Sequence, residues 1–412
     1  MEGRMSGVPT GHERDGHVNQ VNVIFRDDDL QRSILGQESV NQENESTAPI
    51  AERVSDLFMA LTEALDPAHV RVWQNQELVP TAEAVATFAS PVMTFDREIY
   101  FDAYQLEADR HSAAMNAGPR VIGGSVVHMK VCGSTQDLLK TLAAKQCVPY
   151  GCAFLCDSQT SGRGRGANLW QSPHGCLTVS VLAHVPRVRA QSLPMVQYVA
   201  GIAVVNALRQ VCRDRFPSTS ALPRFSLKWP NDVLCGNIKI GGILTEATSS
   251  PAGGFDVFLG LGLNLSNHEP TTCVYDELRR ITQEEKLAEA SLALPPREEV
   301  LGVILAQLDT LHARMVRDGF GSLVDDYMSL ARLRDLRVTV MGEANVSALT
   351  TSSDSVVCGT ITGVDLDSGC LLVSIERQNG DGCESDYVIK LPPDINSFNQ
   401  ETATVHIKGT GC

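Results

Sequence analysis

Residues 226–247 read SLKWPNDVLCGNIKIGGILTEA, and this stretch decides the fold. Apolar alternation flanks Gly236 and Asn237, and such a pair between two alternating runs signals a tight hairpin turn. Pro230, followed by Asn and Asp, favours an earlier sharp turn. The stretch therefore predicts a strand, a turn, a second strand, a hairpin turn and a third strand.

The flanking sequence mixes strands with helices. Residues 121–267 alternate strand-like and helix-like patterns without a repeat. Residues 194–212 are apolar around most of a helical circumference, which predicts a buried helix, and residues 296–333 predict further helices. Strands are predicted in VIGGSVVHMKV at 121–131 and CLTVSVLAHV at 176–185, and a strand pair around FDVFLGLGLNL at 255–265.

The end of the chain carries a different pattern. Short strand-like runs follow one another in VTVMG, CGTITGVDLDSGCLLVSIE and DYVIKLPP, which indicates a separate small barrel of about eighty residues. Mixed strands and helices followed by an all-strand end predict the fold class α+β with an appended β domain. We assign residues 121–330 to the mixed domain and residues 331–412 to the β domain.

The beginning of the chain is polar. Residues 1–49 contain few large apolar residues and cannot bury enough surface to offset their ordering entropy, which predicts a mostly disordered tail. Residues 50–120 form an N-terminal extension, in which apolar spacing over 50–65 predicts one amphipathic helix. A helix covering the domain edge is the simpler interpretation, although a docking or regulatory role stays open. No winged-helix pattern with a basic recognition helix is recognisable here.

Composition excludes several classes of protein. The 49 acidic and 34 basic residues give a net charge of -15, which is unfavourable for binding nucleic acid. The 12 cysteines form no CxxC pair, so we expect neither a zinc finger nor a disulfide framework. The first residues lack an apolar run, and we expect neither a signal peptide nor a membrane span. These features favour a reduced, cytoplasmic location.

The strongest local signal is a glycine-rich loop at residues 161–175, SGRGRGANLWQSPHG. Gly162, Gly164 and Gly166 let the backbone approach a ligand, while Arg163 and Arg165 supply fixed positive charge and forked donors. An isolated GRGRG run is more often a solvated basic turn or a nucleic-acid contact. The tryptophan, serine and proline that follow tie this loop to ordered structure, and we interpret it as a cover for a phosphate.

A lysine at the end of a strand is the second signal. Lys228 ends an apolar strand, and an inward lysine is costly unless it meets an anion. A carboxylate attacking a phosphate supplies two anions, so Lys228 is our first candidate for the catalytic cation. Asn231 and Asp232 more commonly shape the turn, and a magnesium-ligand role for Asp232 stays open.

Glycines inside two strands are the third signal. Gly241 and Gly242 follow Lys239, and Gly260 and Gly262 precede Asn264. Glycine weakens strand packing, and the close approach of a ligand would explain it. Strand bulges or tight sheet packing are the competing explanation for any one glycine. Two such strands ending near polar residues favour the wall of a pocket.

Five motifs occur in the order and approximate spacing of the biotin protein ligases. They are GSTQD at 133–137, the loop at 161–175, KWPNDV at 228–233, KIGGILTE at 239–246 and GLGLNLSN at 260–267. The chain most resembles the eukaryotic holocarboxylase synthetases, from about residue 95 to PPDINSF at 392–398. The resemblance implies the catalytic fold shared with class II aminoacyl-tRNA synthetases over 121–330 and a small SH3-like β-barrel over 331–412.

The resemblance also implies roles for individual residues. Lys228, Arg163 and Arg165 would be the catalytic residues. Biotin would be bound by Ser134, Thr135, Gln159, Gly162, Arg163, Gly164, Arg165, Lys228, Gly242 and Gly260. ATP and the adenylate would be bound by Arg165, Trp170, Lys228, Lys239 and Asn264. Gln136 departs from the asparagine that many members carry after the Ser-Thr pair. Magnesium is expected with ATP, without identified ligands.

The implied reaction joins biotin to protein in two steps, with ATP and biotin as substrates. The biotin carboxylate attacks the α-phosphate of ATP, and a lysine of a biotin carboxyl carrier domain then attacks the adenylate. The expected partners are these carrier domains of carboxylases, without nucleic acid or membrane, and a homodimer is left open. A lipoate ligase would carry a different signature ending in histidine, which we do not find. A biotin-sensing DNA-binding regulator conflicts with the acidic charge.

Overall fold

The computed structural model of the chain describes residues 21–25, 60, 95–112, 121–186, 189–217, 223–284, 294–341, 356–375, 387–393 and 396–407. The amphipathic helix predicted over 50–65 lies outside these residues, apart from the helical Ala60. Most of the predicted tail at 1–49 lies outside them as well.

An eight-stranded sheet forms the centre of the larger domain, in the order β1-β2-β3-β4-β8-β7-β6-β5. Its strands are β1 Val21–Phe25, β2 Ser125–Cys132, β3 Ala153–Gln159, β4 Cys176–Val185, β5 Phe225–Lys228, β6 Asp232–Cys235, β7 Ile238–Ser249 and β8 Phe255–Asn264. All neighbours are antiparallel except β2 and β3, which are parallel. The stretch at 226–247 supplies three strands as predicted, with Gly236 at a φ of +59° in the hairpin turn.

One prediction about strands was wrong, and one strand was not anticipated. The sequence at 255–265 forms the single strand β8 rather than a pair, because β8 pairs with both β4 and β7 along its length. Val21–Phe25 falls in the predicted disordered tail, yet it pairs antiparallel with β2 at the edge of the sheet. The β-branched run VNVIF suits a strand, and the edge of β2 offers unpaired backbone groups.

Helices cover both faces of this sheet. They are α1 Arg97–Ser112, α2 Thr135–Ala144, α3 Pro194–Arg215, α4 Val274–Glu284, α5 Arg297–Asp318 and α6 Val324–Leu330. The larger core lies between the sheet, α1, α3 and α5, while α2 packs a smaller apolar cluster against the other face. α1 therefore belongs to the mixed domain, although the sequence placed it in the N-terminal extension, because Tyr100 donates to the Gly123 carbonyl at 2.7 Å.

The predicted buried helix over 194–212 is present as α3. Together with the preceding short turn, residues Ala190–Arg215 are long and apolar enough to cross a membrane by composition alone. The helix packs inside the fold, with 83% of its most apolar window buried. Its apolar character therefore reflects a core position.

The C-terminal residues form a second sheet in the order β12-β11-β10-β9-β14-β13. Its strands are β9 Arg337–Met341, β10 Val356–Val364, β11 Leu371–Ile375, β12 Tyr387–Leu391, β13 Asn396–Asn399 and β14 Thr404–Ile407. The fold thus mixes helices with two sheets, in agreement with the predicted α+β class. A closed barrel requires the two edge strands of the sheet to pair. Among the described strands no closed barrel forms, because the edge strands β12 and β13 are not neighbours in the sheet. The predicted closure is therefore not confirmed.

The two sheets share one continuous apolar core. Tyr198 of α3 donates its hydroxyl to the carbonyl of Gly369 at 2.7 Å, and Ser192 donates to the carbonyl of Asp367 at 2.8 Å. The β domain consequently packs directly on the mixed domain. Its strand β13 lies beside the candidate site.

Candidate active site

One cavity collects most of the residues that the sequence singled out. It is lined by Ser134, Thr135, Gln159, Arg163, Gly164, Arg165, Trp170, Lys228, Lys239, Gly242 and Gly260, together with Gln136, Ser180, Asp232 and Phe398. Among the predicted site residues, only Gly162 and Asn264 are missing from this lining. The motifs come together because β3, β4, β8 and β7 are neighbours in the sheet.

One end of the cavity, beside β3 and β4 and away from β5, β6 and β7 in the sheet order, carries uncharged hydrogen-bonding groups. Gln159 Oε1 accepts from the backbone nitrogen of Thr135 at 2.8 Å and from its hydroxyl at 3.1 Å. The Thr135 hydroxyl also contacts the Ser180 hydroxyl at 2.8 Å, and Gln159 Nε2 donates to Ser172 Oγ at 2.8 Å. Ser134 caps α2 by accepting from the backbone nitrogen of Asp137 at 3.3 Å. These linked bonds fix donors and acceptors before a ligand arrives.

The other end of the cavity is cationic. Lys239 Nζ lies 2.6 Å from Asp232 Oδ1, and Lys228 Nζ lies 3.8 Å from Asp232 Oδ2. Lys239 also stands over the Trp170 ring, 5.8 Å from its centroid, at cation–π distance. One carboxylate between two ammonium groups leaves net positive charge, and Arg165 lines the same cavity. This end suits an anion.

The turn after Lys228 is held rigidly. Trp229 is buried, and its indole N–H donates to the Tyr198 hydroxyl at 3.0 Å. The Asn231 amide donates to the Ile243 carbonyl at 2.9 Å. Asn231 therefore shapes the turn, the commoner role that the sequence indicated, and so orients the end of β5 where Lys228 stands.

The two loop arginines meet different partners. Arg163 bonds the carboxylates of Glu246 and Asp137, and the Glu246 hydrogen bond raises the pKa of Arg163. Arg165 instead donates to Asn231 Oδ1 at 3.3 Å and to the carbonyl of Asn396 at 3.2 Å. Both acceptors of Arg165 are uncharged. Carboxylates therefore balance the charge of Arg163, whereas these hydrogen-bond partners of Arg165 at the cavity carry no opposite charge.

Glycines in β8 make room for cavity side chains. A Cβ on Gly262 would lie 2.5 Å from the Trp170 ring, and a Cβ on Gly260 would lie 2.9 Å from Gln136 Oε1. The indole can therefore lie close against the strand only because residue 262 is glycine. Both glycines line the cavity, as predicted for a pocket wall, but the groups that approach them are side chains of the protein rather than the expected ligand.

Gly162 and Asn264 stand behind the cavity wall rather than in it. A Cβ on Gly162 would lie 2.3 Å from the Trp170 carbonyl oxygen, so this glycine permits the loop to fold back on itself. The Asn264 amide donates to Thr271 Oγ1 at 2.9 Å, and Thr271 donates to the Lys239 carbonyl at 3.0 Å. In this arrangement Asn264 supports the strand that carries Lys239.

Sequence reasoning missed two parts of the wall. Thr178 and Ser180 are polar residues in the mostly apolar CLTVSVLAHV strand, and this contrast was a usable signal. Phe398 comes from β13 of the β domain, more than two hundred residues from the loop it faces. Only its place in PPDINSF pointed to it.

Comparison with known proteins gives a consistent result. Residues 128–264 match the model of the biotin/lipoate A/B protein ligase family. Biotin–protein ligase 2 of Arabidopsis thaliana is 32% identical over 252 residues, covering 61% of this chain and 68% of that protein. The biotin–protein ligase of Homo sapiens is 28% identical over 312 residues, covering 75% of this chain but only 38% of that protein.

A solved structure is similar as well. A mutant biotin protein ligase from Aquifex aeolicus, in complex with biotin, aligns with a TM-score of 0.46 and 24% identity, covering 65% of this chain and 95% of that one. The assignment depends instead on the sequence match to the plant relative, which spans more than two thirds of that protein, and on the family model. The chain belongs to the biotin protein ligase family.

Proposed function

We propose that this protein activates biotin with ATP to biotinyl-5′-AMP and transfers the biotinyl group to a lysine of a biotin carboxyl carrier domain. The proposal rests on the different chemical groups at the two ends of the cavity. Biotin has an uncharged ureido group at one end and a carboxylate at the other. The end around Thr135, Gln159 and Ser180 offers neutral hydrogen bonds, and the end around Lys228 and Lys239 offers positive charge.

In the first step a carboxylate oxygen of biotin attacks the α-phosphorus of ATP, and pyrophosphate leaves with the electrons of the broken P–O bond. Negative charge accumulates on the phosphate oxygens. Lys228, Lys239 and Arg165 would stabilise it, each contributing roughly 3 kcal/mol in a site of this kind. Positioning both reactants in one cavity supplies the rest of the rate enhancement.

In the second step a neutral lysine amine of the carrier attacks the acyl carbon, AMP leaves with the electrons of the broken acyl C–O bond, and the amine releases a proton to solvent. No side chain of this protein needs to become covalently attached. The loop at 161–175 would cover the mixed anhydride and exclude water, which would otherwise hydrolyse it. Biotin carboxyl carrier domains of carboxylases are the proposed protein partners. The net charge of -15 disfavours a nucleic-acid partner.

Magnesium would enter with ATP and would neutralise the charge of its phosphates. Among the described residues that line the cavity, Asp232 supplies the one carboxylate. Both of its oxygens face lysine ammonium groups, so its capacity to hold a cation is reduced. This fits a metal held mainly by the phosphates, with at most one protein ligand from Asp232.

We also propose that the catalytic domain shares the class II aminoacyl-tRNA synthetase fold, that the β domain is related to SH3-like folds, and that the protein works in the cytoplasm. The 12 cysteines form no CxxC pair, which supports a reducing compartment. The short antiparallel strands β9 to β12 support the relation to small β domains.

The decisive experiment incubates the purified chain with ATP, an apo carrier domain, and either labelled biotin or labelled lipoate. We expect label transfer from biotin and at least a thousandfold less from lipoate, because lipoate leaves the hydrogen-bonding end unpaired. Transfer from lipoate alone would overturn the proposal. Transfer from neither substrate would contradict the proposed ligase activity.

A further inference from the structure

The charge on Arg163 is matched by carboxylates of the protein. Its Nη1 lies 2.5 Å from Asp137 Oδ1 and 3.1 Å from Glu246 Oε2, and its Nη2 lies 3.2 Å from Glu246 Oε1. Glu246 therefore receives Arg163 through two parallel bonds, the strong geometry for an arginine and a carboxylate. Lys140 Nζ completes the group at 2.9 Å from Glu246 Oε1.

This cluster is electrically balanced. Two cations, Arg163 and Lys140, face two carboxylates, Asp137 and Glu246. Partial burial raises the pKa of Glu246, but hydrogen bonds from Lys140 and Arg163 outweigh it and hold that pKa below its ordinary value. A phosphate approaching Arg163 would meet these carboxylates as well. The arginine is therefore poorly disposed to act as the phosphate-binding cation.

Arg163 also lies at the base of the loop, where it can connect the loop to other elements. It forms an antiparallel bridge with Leu169, and the Gly164 nitrogen donates to the Asn168 carbonyl at 2.8 Å. The loop is thus a small hairpin, and Arg163 ties its base to α2 through Asp137 and to β7 through Glu246. Leu169, opposite Arg163 in this bridge, is 82% exposed and so adds little apolar packing to the hairpin.

We propose that Glu246, assisted by Asp137, is a positioning residue that holds the hairpin at 162–170 over the cavity by pairing with Arg163. Arg163 is then a structural anchor of the loop, and Arg165 is its phosphate-facing cation. The catalytic consequence of this anchoring rests on the proposed ligase function. The anchoring itself is a property of the unliganded protein.

The first test is limited chymotrypsin digestion of the unliganded chain, followed by mass spectrometry of cleavage after Leu169. Glu246→Gln keeps the side-chain shape and removes the charge, and we expect cleavage about three- to tenfold faster than in the wild type. Arg163→Lys should give an intermediate rate, because an ammonium cannot pair with both carboxylates through a fork. Arg163→Ala and the double variant Arg163→Ala/Glu246→Ala should be cleaved equally fast.

The second test separates anchoring from chemistry by biotin-dependent ATP–pyrophosphate exchange. Glu246→Gln should raise the KM for biotin several-fold with less than a twofold change in kcat. Arg165→Ala should lower kcat. Glu284→Gln is the matched control, since the Glu284 carboxylate forms an ion pair with Arg280 on the surface of α4. This variant should change neither loop cleavage nor the kinetic constants.

Unchanged loop cleavage in Glu246→Gln would overturn the proposal. A large fall in kcat for Arg163→Ala, with Glu246→Gln normal, would also overturn it and return Arg163 to the phosphate. Because digestion uses no substrate, its outcome is independent of the ligase assignment. Failure of that assignment would appear separately, as absence of exchange by the wild-type protein.

Discussion

The two ends of the cavity are lined by different chemical groups. At one end Thr135, Gln159 and Ser180 are joined by hydrogen bonds between uncharged groups, and Thr135 and Ser180 are buried. At the other end Lys228 and Lys239 share the carboxylate of Asp232 and remain partly exposed. Under the proposed function, the first end would select a ligand by shape and hydrogen bonding, whereas the second end would stabilise charge as the reaction proceeds.

The largest effect should come from removing charge at the cationic end. We expect Lys228→Ala and Arg165→Ala each to slow adenylate formation by about a hundredfold or more, since such groups stabilise developing phosphate charge. Biotin-dependent ATP–pyrophosphate exchange measures this step. Lys390→Ala is the control, because Lys390 pairs with Asp365 on the surface of the β domain. Undiminished exchange in folded Lys228→Ala would remove Lys228 from its catalytic role.

A smaller effect should follow from removing one hydrogen bond at the neutral end. Thr135→Val keeps the side-chain shape but loses the hydroxyl that joins Gln159 and Ser180. We expect a KM for biotin about tenfold higher with little change in kcat, because a buried partner is left unsatisfied. Thr141→Val is the matched control on the exposed side of the same helix. A kcat effect equal to that of Lys228→Ala would contradict the division between the two ends.

The smallest effect should be the response to salt. Raising the ionic strength from 0.1 M to 1 M shortens the screening length from about 10 Å to about 3 Å. Lys228 and Lys239 are 33% and 45% exposed, so we expect ATP to bind about threefold more weakly. Binding of biotinamide, whose tail is uncharged, should stay constant in calorimetry. An equal salt response of the two ligands would mean that both contact the same charged groups.

Local sequence predicted most elements of the mixed domain. The strand at 176–185, the buried helix beginning at Pro194 and the hairpin at Gly236 were all readable, because each depends on neighbouring residues. The strand Val21–Phe25 was not readable, since a five-residue run in a polar segment becomes a strand only when β2 offers its edge. The closed C-terminal barrel is likewise not confirmed, because closure depends on how the edge strands of the sheet pair and not on the pattern within each strand.

The sequence was enough to predict which residues line the cavity, but not the partners that distinguish one residue from another. Glycine spacing and the motifs identified Lys228, Lys239 and Trp170, all of which line the cavity. They could not separate Arg163 from Arg165, which stand two positions apart in the same loop. The separation depends on Glu246 and Asn396, which the fold brings to the loop from β7 and from the second sheet.

The sequence by itself determined the chemical groups, their order along the chain, the alternation that makes strands and the family to which those motifs belong. The tertiary structure alone decided which charged groups lie beside a partner of opposite charge and which do not. It placed Arg163 between two carboxylates, left Arg165 with carbonyl partners, and set Phe398 of the β domain into the cavity wall. The physical reason is that the effect of a charge depends on its distance from other charges, and those distances are fixed only when remote strands pair.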